Sequence, residues 1–334
     1  MLGCMFAKFI FFFAALFSAF FLPATHVELS GHFSESAVRQ IFVSREGELR
    51  DAIVQLLKLD GMYEEGDSLQ NAVSKTQGSW IAVRQGRGGK ERADLVDKDS
   101  SSTDQVITIA KEMGLFDAKL PTLSHYDYAL WLGALLDGAR FRIAELVKAW
   151  QAGVHFDTLV VLTGERDLRQ DLEGIERLCD PSTSPLPFKD RWKLSEGARY
   201  QTECDMMRIV WEQVQLPEDM AKALEGKVIF VNTKKTNGLR PSTKDTYVHW
   251  LKEYQPRPGT VLAISSPGLW MYQQLVGENM LGHAFFLDTI APATSSQYFI
   301  TQRHALTSIV HDTIAKCLYE VYTGAFKKSH SYGI

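Results

Sequence analysis

Apolar positions change their spacing along the chain, and the spacing predicts the elements. Leu49, Ala52, Ile53, Leu56 and Leu57 recur at i, i+3, i+4, i+7 and i+8, which is one face of a helix. A second helix is predicted from Ser102, where Ser102 and Gln105 form a capping-box pattern ahead of Val106, Ile109, Ala110 and Met113. Residues 31–120 therefore read as an irregular, mostly helical region. From Tyr126 onward, short apolar runs at 128–132, 158–162, 228–231, 260–264 and 284–287 alternate with amphipathic stripes. One stripe is Ile143, Leu146, Val147 and Trp150, closed by Gly153. Others follow the capping patterns Thr202 to Asp205 and Ser242 to Asp245, and a helix is expected near Tyr272. The last runs over 301–322 through Ile309, Val310, Ile314, Cys317 and Val321.

Continuous apolar strands alternating with helices predict a parallel sheet covered on both faces. Right-handed crossovers make it a doubly wound, Rossmann-like α/β three-layer sandwich over 121–325, with the mostly helical region as an N-terminal extension. The composition is compatible with this. The 334 residues are 45% hydrophobic, 23% charged and 11% aromatic, which excludes fibrous and wholly disordered classes. With 36 Lys and Arg against 40 Asp and Glu, the net charge is -4, and no basic excess points to nucleic acid.

The first residues follow a different pattern. Within 1–22 the only charge is Lys8, and 9–22 is apolar but for Ser18. That run has the length of a signal-peptide core and falls short of the roughly 20 residues that span a bilayer. Pro23 breaks a helix there, and Ala24 offers a small residue for cleavage, with Leu22 at the -3 position. Residues 1–24 are thus expected to be a secretory signal that sends the protein to a periplasmic or secreted location. An uncleaved anchor, giving membrane association, is the alternative. Cys4 precedes the apolar run; Cys179, Cys204 and Cys317 fit neither a zinc module nor a disulfide framework and are expected as buried or partly buried free thiols.

In a doubly wound sheet, ligands bind beyond the carboxyl ends of the strands. After the first predicted strand come Gly133, Arg140 and Arg142. Thr163, Gly164, Glu165, Arg166 and Arg169 follow the second, and Asn232, Thr233, Arg240, Pro241, Ser242 and Thr243 follow the third. The fourth is followed by Ser265, Ser266, Pro267 and Gly268, then Tyr272 and Gln273, and the fifth by Asp288. Arginines, hydroxyls and glycines beside helix N-termini suit a small anionic, phosphate-bearing ligand. Individually the same residues have plainer readings: Gly133 as a tight turn, Arg140 and Arg142 as solvated helix residues, Asp205 and Asp245 as caps. Glu203 and Glu165 are the carboxylates that capping leaves unexplained, and so the candidate general bases or hydroxyl-binding groups. At a helix start, Glu203 is expected to be ionised.

The familiar signatures are missing. There is no Gly-x-Ser-x-Gly elbow, no His-Glu-x-x-His, no Cys-x-x-Cys and no dinucleotide fingerprint after the first strand. The basic stretch 85–90 lacks the glycine spacing of a phosphate loop, and Glu91 stands where Ser or Thr would hold magnesium. No metal site and no particular cofactor is read from the chain.

The order of these elements resembles the YdcF/SanA-like superfamily, a bacterial Rossmann-like domain. The likeness covers about 126–322. It rests on Gly133 with Arg140 and Arg142 downstream, on Thr163 to Arg166, on Thr202 and Glu203 opening a helix, and on Asn232 and Thr233 followed by Thr243 and Thr246. Cys204 stands where that superfamily has Ala, a longer insert reaches Arg240, and Ser265 to Gly268 lacks the family's His. The resemblance implies one pocket lined by the glycine-rich strand end, the Thr-Glu element and the Asn-Thr element. It also implies nucleotide-like ligands, S-adenosylmethionine among them, and a role in envelope homeostasis. A secreted interaction protein without catalytic activity is the alternative.

Overall fold

The computed structural model describes residues 36–81, 94–97 and 101–331. The apolar leader, Cys4 and the basic stretch 85–90 lie outside the described residues. Among the described residues four helices come first: α1 (Arg39–Phe42), α2 (Asp51–Leu59), α3 (Leu69–Ser79) and α4 (Thr103–Glu112). The α/β layers then run β1 (His125–Leu132), α5 (Leu136–Gln151), β2 (His155–Gly164), α6 (Gln170–Glu173), α7 (Ile175–Cys179), α8 (Glu203–Gln213), α9 (Glu218–Ala223) and β3 (Val228–Thr233). They continue through α10 (Thr243–His249), β4 (Gly259–Ile264), α11 (Trp270–Leu281), β5 (Phe285–Ile290), α12 (Ser296–Thr301) and α13 (Leu306–Ser331).

All five strands are parallel, in the order β3-β2-β1-β4-β5. The winding reverses between β1 and β4, which is where this topology opens a crevice. Alternation along each strand sorts the core into two layers. Ala129, Trp131, Leu159, Val161, Leu262 and Ile264 meet α5 and α8 on one face. Leu130, Leu132, Val160, Leu162, Val261 and Ala263 meet Tyr247 of α10 and Val276 of α11 on the other. A third apolar cluster joins Ile53, Leu56, Val73 and Val106 of the N-terminal helices to Leu275 of α11 and to Ile314, Leu318 and Val321 of α13. The Rossmann-like three-layer fold thus forms as its strand and helix periods dictate.

Local differences have local causes. Ser102 sits in helical backbone and its side chain caps nothing. Its neighbour Thr103 is buried instead, with its hydroxyl 3.0 Å from that of Thr307 on α13. The last stripe divides into α12, a short 3-10 turn at Arg303–Ala305 and α13. On α10, behind the Ser242 cap, Tyr247 is buried and Val248 is exposed. Cys204 and Cys317 are buried, as expected, whereas Cys179 is exposed. Among the described residues no helix is long and apolar enough to cross a membrane.

Asp288, expected beyond the last strand, lies inside β5 and is buried. Its Oδ2 accepts from the Thr122 amide (2.5 Å), the Thr122 hydroxyl (2.8 Å) and the Tyr126 hydroxyl (2.7 Å). The contact ties the entry of β1 to β5 across β4. Burial, with the Asp288 carboxylate beside it, pushes the Tyr126 hydroxyl up to about 12, so it remains a donor. Asp288→Ala strands these donors and is expected to cost about 2–4 kcal/mol of stability, measured by urea unfolding. A loss below about 0.5 kcal/mol would show that the contact is dispensable.

Candidate functional site

The crevice at the switch point is a cleft of about 580 Å³. Its floor is the ends of the two central strands. β1 continues into Gly133, whose amide donates to Leu162 O at 2.8 Å and extends the ladder by one residue. β2 ends at Gly164. Beside both lies the start of α8, where Thr202 and Asp205 complete a capping box: Asp205 N donates to Thr202 Oγ1 (3.3 Å) and Thr202 N to Asp205 Oδ2 (2.9 Å). The cap leaves Glu203, the first helical residue, free to turn inward.

The Glu203 carboxyl then fills the notch between the glycines. Gly164 N donates to its Oε2 at 3.2 Å and Arg166 Nε to its Oε1 at 3.4 Å. A Cβ on Gly133 would stand 2.6 Å from Oε2, so any side chain there would have to displace the Glu203 carboxyl. At Gly164 a Cβ would overlap Pro241, which roofs the cleft. Arg166 is anchored from behind. Two of its nitrogens each donate to Glu173 at 2.7 Å, and Glu173 is 0% exposed. Glu173 also accepts from Arg169 N at 2.9 Å. Sequence reasoning missed Glu173. Seven residues from Arg166 in a helix-poor stretch, it resembles any surface charge, and only the fold turns the pair inward.

Burial pushes the Glu203 carboxyl above its ordinary value of 4.5, opposed by the Arg166 guanidinium and the Gly164 amide. Burial thus works against the helix N-terminus, which was expected to favour the ionised form. Glu165 is held apart. It pairs with Lys234 Nζ (2.6 Å) and the Lys235 amide (3.2 Å), and the lysine hydrogen bond holds it below the ordinary carboxylate range.

Arg142 spans the reversal of the sheet. Its Nη1 donates to Leu132 O (2.8 Å) and Gly133 O (2.7 Å), while Nε and Nη2 reach Ser266 Oγ beyond β4 at 3.3 and 3.2 Å. Of the residues singled out from sequence, Gly133, Arg142, Gly164, Arg166, Glu203, Arg240, Pro241, Ser242, Thr243, Thr246, Ser266, Tyr272 and Gln273 line the cleft together. Others sit elsewhere. Arg140 is buried behind α5, donating to Leu178 O (2.5 Å), Gln213 Oε1 (2.9 Å), Arg177 O (3.3 Å) and the Thr183 hydroxyl. It fastens the α7 segment to α8. Thr163 donates to Val231 O at 2.9 Å, Thr202 is the cap already described, and Thr233 meets His249 Nδ1 at 3.1 Å. Ser265 is buried under its own loop, its hydroxyl 3.4 Å from Ser266 O. Asn232 pairs in register with Thr163 on β3 and does not line the cleft.

The cleft also takes in Lys316 from α13, which the linear sequence gave no reason to place there. Its Nζ is 2.6 Å from Asp312 Oδ2. Two uncapped helix N-termini open onto the cleft. The N-cap residues of α5 and α11, Leu135 and Leu269, make no side-chain cap, whereas Thr202 and Ser242 cap α8 and α10 fully. Among the described residues no group of three or more His, Cys, Asp or Glu is arranged to hold a metal ion. No family model matches the chain, and neither curated proteins nor solved structures give a match.

A carboxyl whose pKa rises on folding stabilises the protein when protonated. That contribution is full below the unfolded value of 4.5 and is lost as pH rises through the higher folded value. In thermal melts from pH 4 to 8, the Tm of Glu203→Gln minus that of the wild type should therefore increase with pH. A difference that stays flat, or that falls, would contradict the burial effect.

Proposed function

We propose that the cleft binds a small phosphate-bearing or nucleotide-like molecule at the carboxyl edge of the sheet. The observation that carries this reading is the pair of uncapped helix N-termini, α5 and α11, facing one crevice. Their first-turn N–H groups have no intrahelical acceptor, and the helix dipole favours an anion there. The two other helices that begin near these strand ends, α8 and α10, spend their N-termini on capping boxes. Arg142, Arg166, Arg240 and Lys316 add positive charge to the lining, against Glu203 and an Asp137 that is itself 2.7 Å from Arg177. Glu203 is suited to accept from a ligand hydroxyl. The resemblance to YdcF/SanA-like domains supports the same ligand class.

Thermal shift against inorganic phosphate, adenosine monophosphate, S-adenosylmethionine and ribose 5-phosphate tests the reading. A rise in Tm with the phosphate-bearing probes is expected, and Arg240→Gln should weaken binding by about 1.5–3 kcal/mol. No shift with any anionic probe would overturn it.

We further propose export, on the strength of the apolar run at 9–22 behind Lys8. Residues 1–30 fused to a reporter active only outside the cytoplasm should give activity, and mass spectrometry of the mature N-terminus should separate cleavage near Ala24 from a retained anchor. A silent fusion would reject export.

A further inference from the structure

We infer that entry of a phosphate-bearing ligand places a proton on Glu203, so that the cleft takes up anion and proton together. The inference rests on the anionic-ligand reading above and deepens it by naming how that site responds to pH.

The hydrogen bonds of Arg166 and Glu203 show which of the two yields to an incoming charge. Every N–H of Arg166 already has an acceptor inside the fold. Nη1 donates to Glu173 Oε2 (2.7 Å) and Asp167 O (3.2 Å), and Nη2 to Glu173 Oε1 (2.7 Å) and Ala134 O (3.2 Å). Nε donates to Glu203 Oε1 at 3.4 Å. A phosphate beside Arg166 feels its charge but gains an N–H only by breaking one of these bonds. Glu203 is held more loosely. Its oxygens accept from Arg166 Nε at 3.4 Å and Gly164 N at 3.2 Å, both long for bonds to a carboxylate. Its side chain is 12% exposed and lines the cleft, so a proton can reach it from solvent.

Two carboxyls therefore share one guanidinium, Glu173 from the buried side and Glu203 from the cleft. A ligand phosphate is a third anion beside the same cation. The other charged groups of the lining lie in different settings. Arg142 is turned to the Leu132 and Gly133 carbonyls, and Lys316 sits 2.6 Å from Asp312. Arg240 stands with the Pro241 roof. Asp137 is 2.7 Å from Arg177 with its side chain 63% exposed, so water screens it. Asp205, on the same helix as Glu203, closes the Thr202 cap. Glu203 is thus the lining carboxyl least shielded from a bound anion. Burial already raises its pKa above 4.5, and a ligand charge moves it further towards neutral pH. At roughly 8 Å and an effective dielectric of about 20, one such charge shifts the proton equilibrium more than tenfold. The protonated carboxyl then offers an O–H to a ligand oxygen, while its carbonyl oxygen still accepts from a ligand hydroxyl.

Titration calorimetry of the full chain, in buffers of different ionisation enthalpy, counts the protons taken up on binding. The probes are adenosine monophosphate and its cyclic phosphodiester, whose charge stays constant from pH 5 to 9. The wild type should take up as much as one proton with the cyclic probe, most strongly at one pH and less on either side. Its affinity should fall as pH rises, by at most about tenfold for each pH unit. Glu203→Gln imitates the neutral acid and should bind the cyclic probe with no uptake and a flat pH profile. With adenosine monophosphate, uptake by the wild type should exceed that of the variant. Wild-type binding of the cyclic probe without uptake, or equal uptake in wild type and Glu203→Gln, would overturn the inference while leaving the anion site standing. Binding of neither probe would overturn both. Carbon-13 NMR of the wild type labelled at its glutamate carboxyls needs no variant: one resonance should titrate at higher pH with ligand than without. If no glutamate carboxyl moves its midpoint upward on binding, the proposal is refuted.

Discussion

The architecture of the cleft depends on one chain of buried charge, from Glu173 through Arg166 to Glu203. A carboxylate taken out of water needs donors, and the ends of two parallel strands offer few. Gly164 supplies one amide, and Arg166 supplies the charge because Glu173 holds its far side at 2.7 Å. Each partner is required by the one before it. Removing either end leaves a charge uncompensated, which is far more damaging than replacing the whole set by apolar residues would be. Buried charge here is a poor source of stability and a strong constraint on geometry. It ties the end of β2, at Gly164, to the first residue of α8.

Capping divides the helices around the crevice into two kinds. Thr202 with Asp205, and Ser242 with Asp245, close the donors of α8 and α10 within their own sequences. The helices that flank the switch point have leucine at the same position and close nothing. The N-termini of α5 and α11 therefore open on the same space, which suits anions. Arg142 joins the two sides of that space through the Leu132 and Gly133 carbonyls and Ser266. It holds the walls at the separation that the sheet reversal creates.

The five strands were legible because each is a continuous apolar run, and burial on both faces leaves no other pattern. Both capping boxes were legible because they are local in sequence. Ser102 shows the limit: the same pattern failed where Thr103 found a buried partner 204 residues away on α13. Arginines were the hardest to assign. Arg140 and Arg142 are two apart on one helix, yet one fastens the α7 segment and the other lines the crevice, a difference of about 200° around the axis that only packing resolves. Glu165 and Glu203 look alike as carboxylates near strand ends, but the lysines of 234 and 235 draw the first outward. Glu173 carries no sequence signal because only the fold turns it inward onto Arg166, and Lys316 reaches the cleft from an element far along the chain.

The apolar seam between α13 and the N-terminal helices bears on how the molecule could be divided. α13 presents Ile314, Leu318 and Val321 to Ile53, Leu56 and Val106, and the same helix brings Lys316 to the rim of the cleft. A fragment beginning after residue 120 would leave that stripe in water, at about 25 cal/mol for each Å² uncovered. The α/β layers would then carry an adhesive helix face, and the wall holding Lys316 would lose its backing. The short helices that precede the sheet are in this sense a splint: they pack along the last element that borders the crevice.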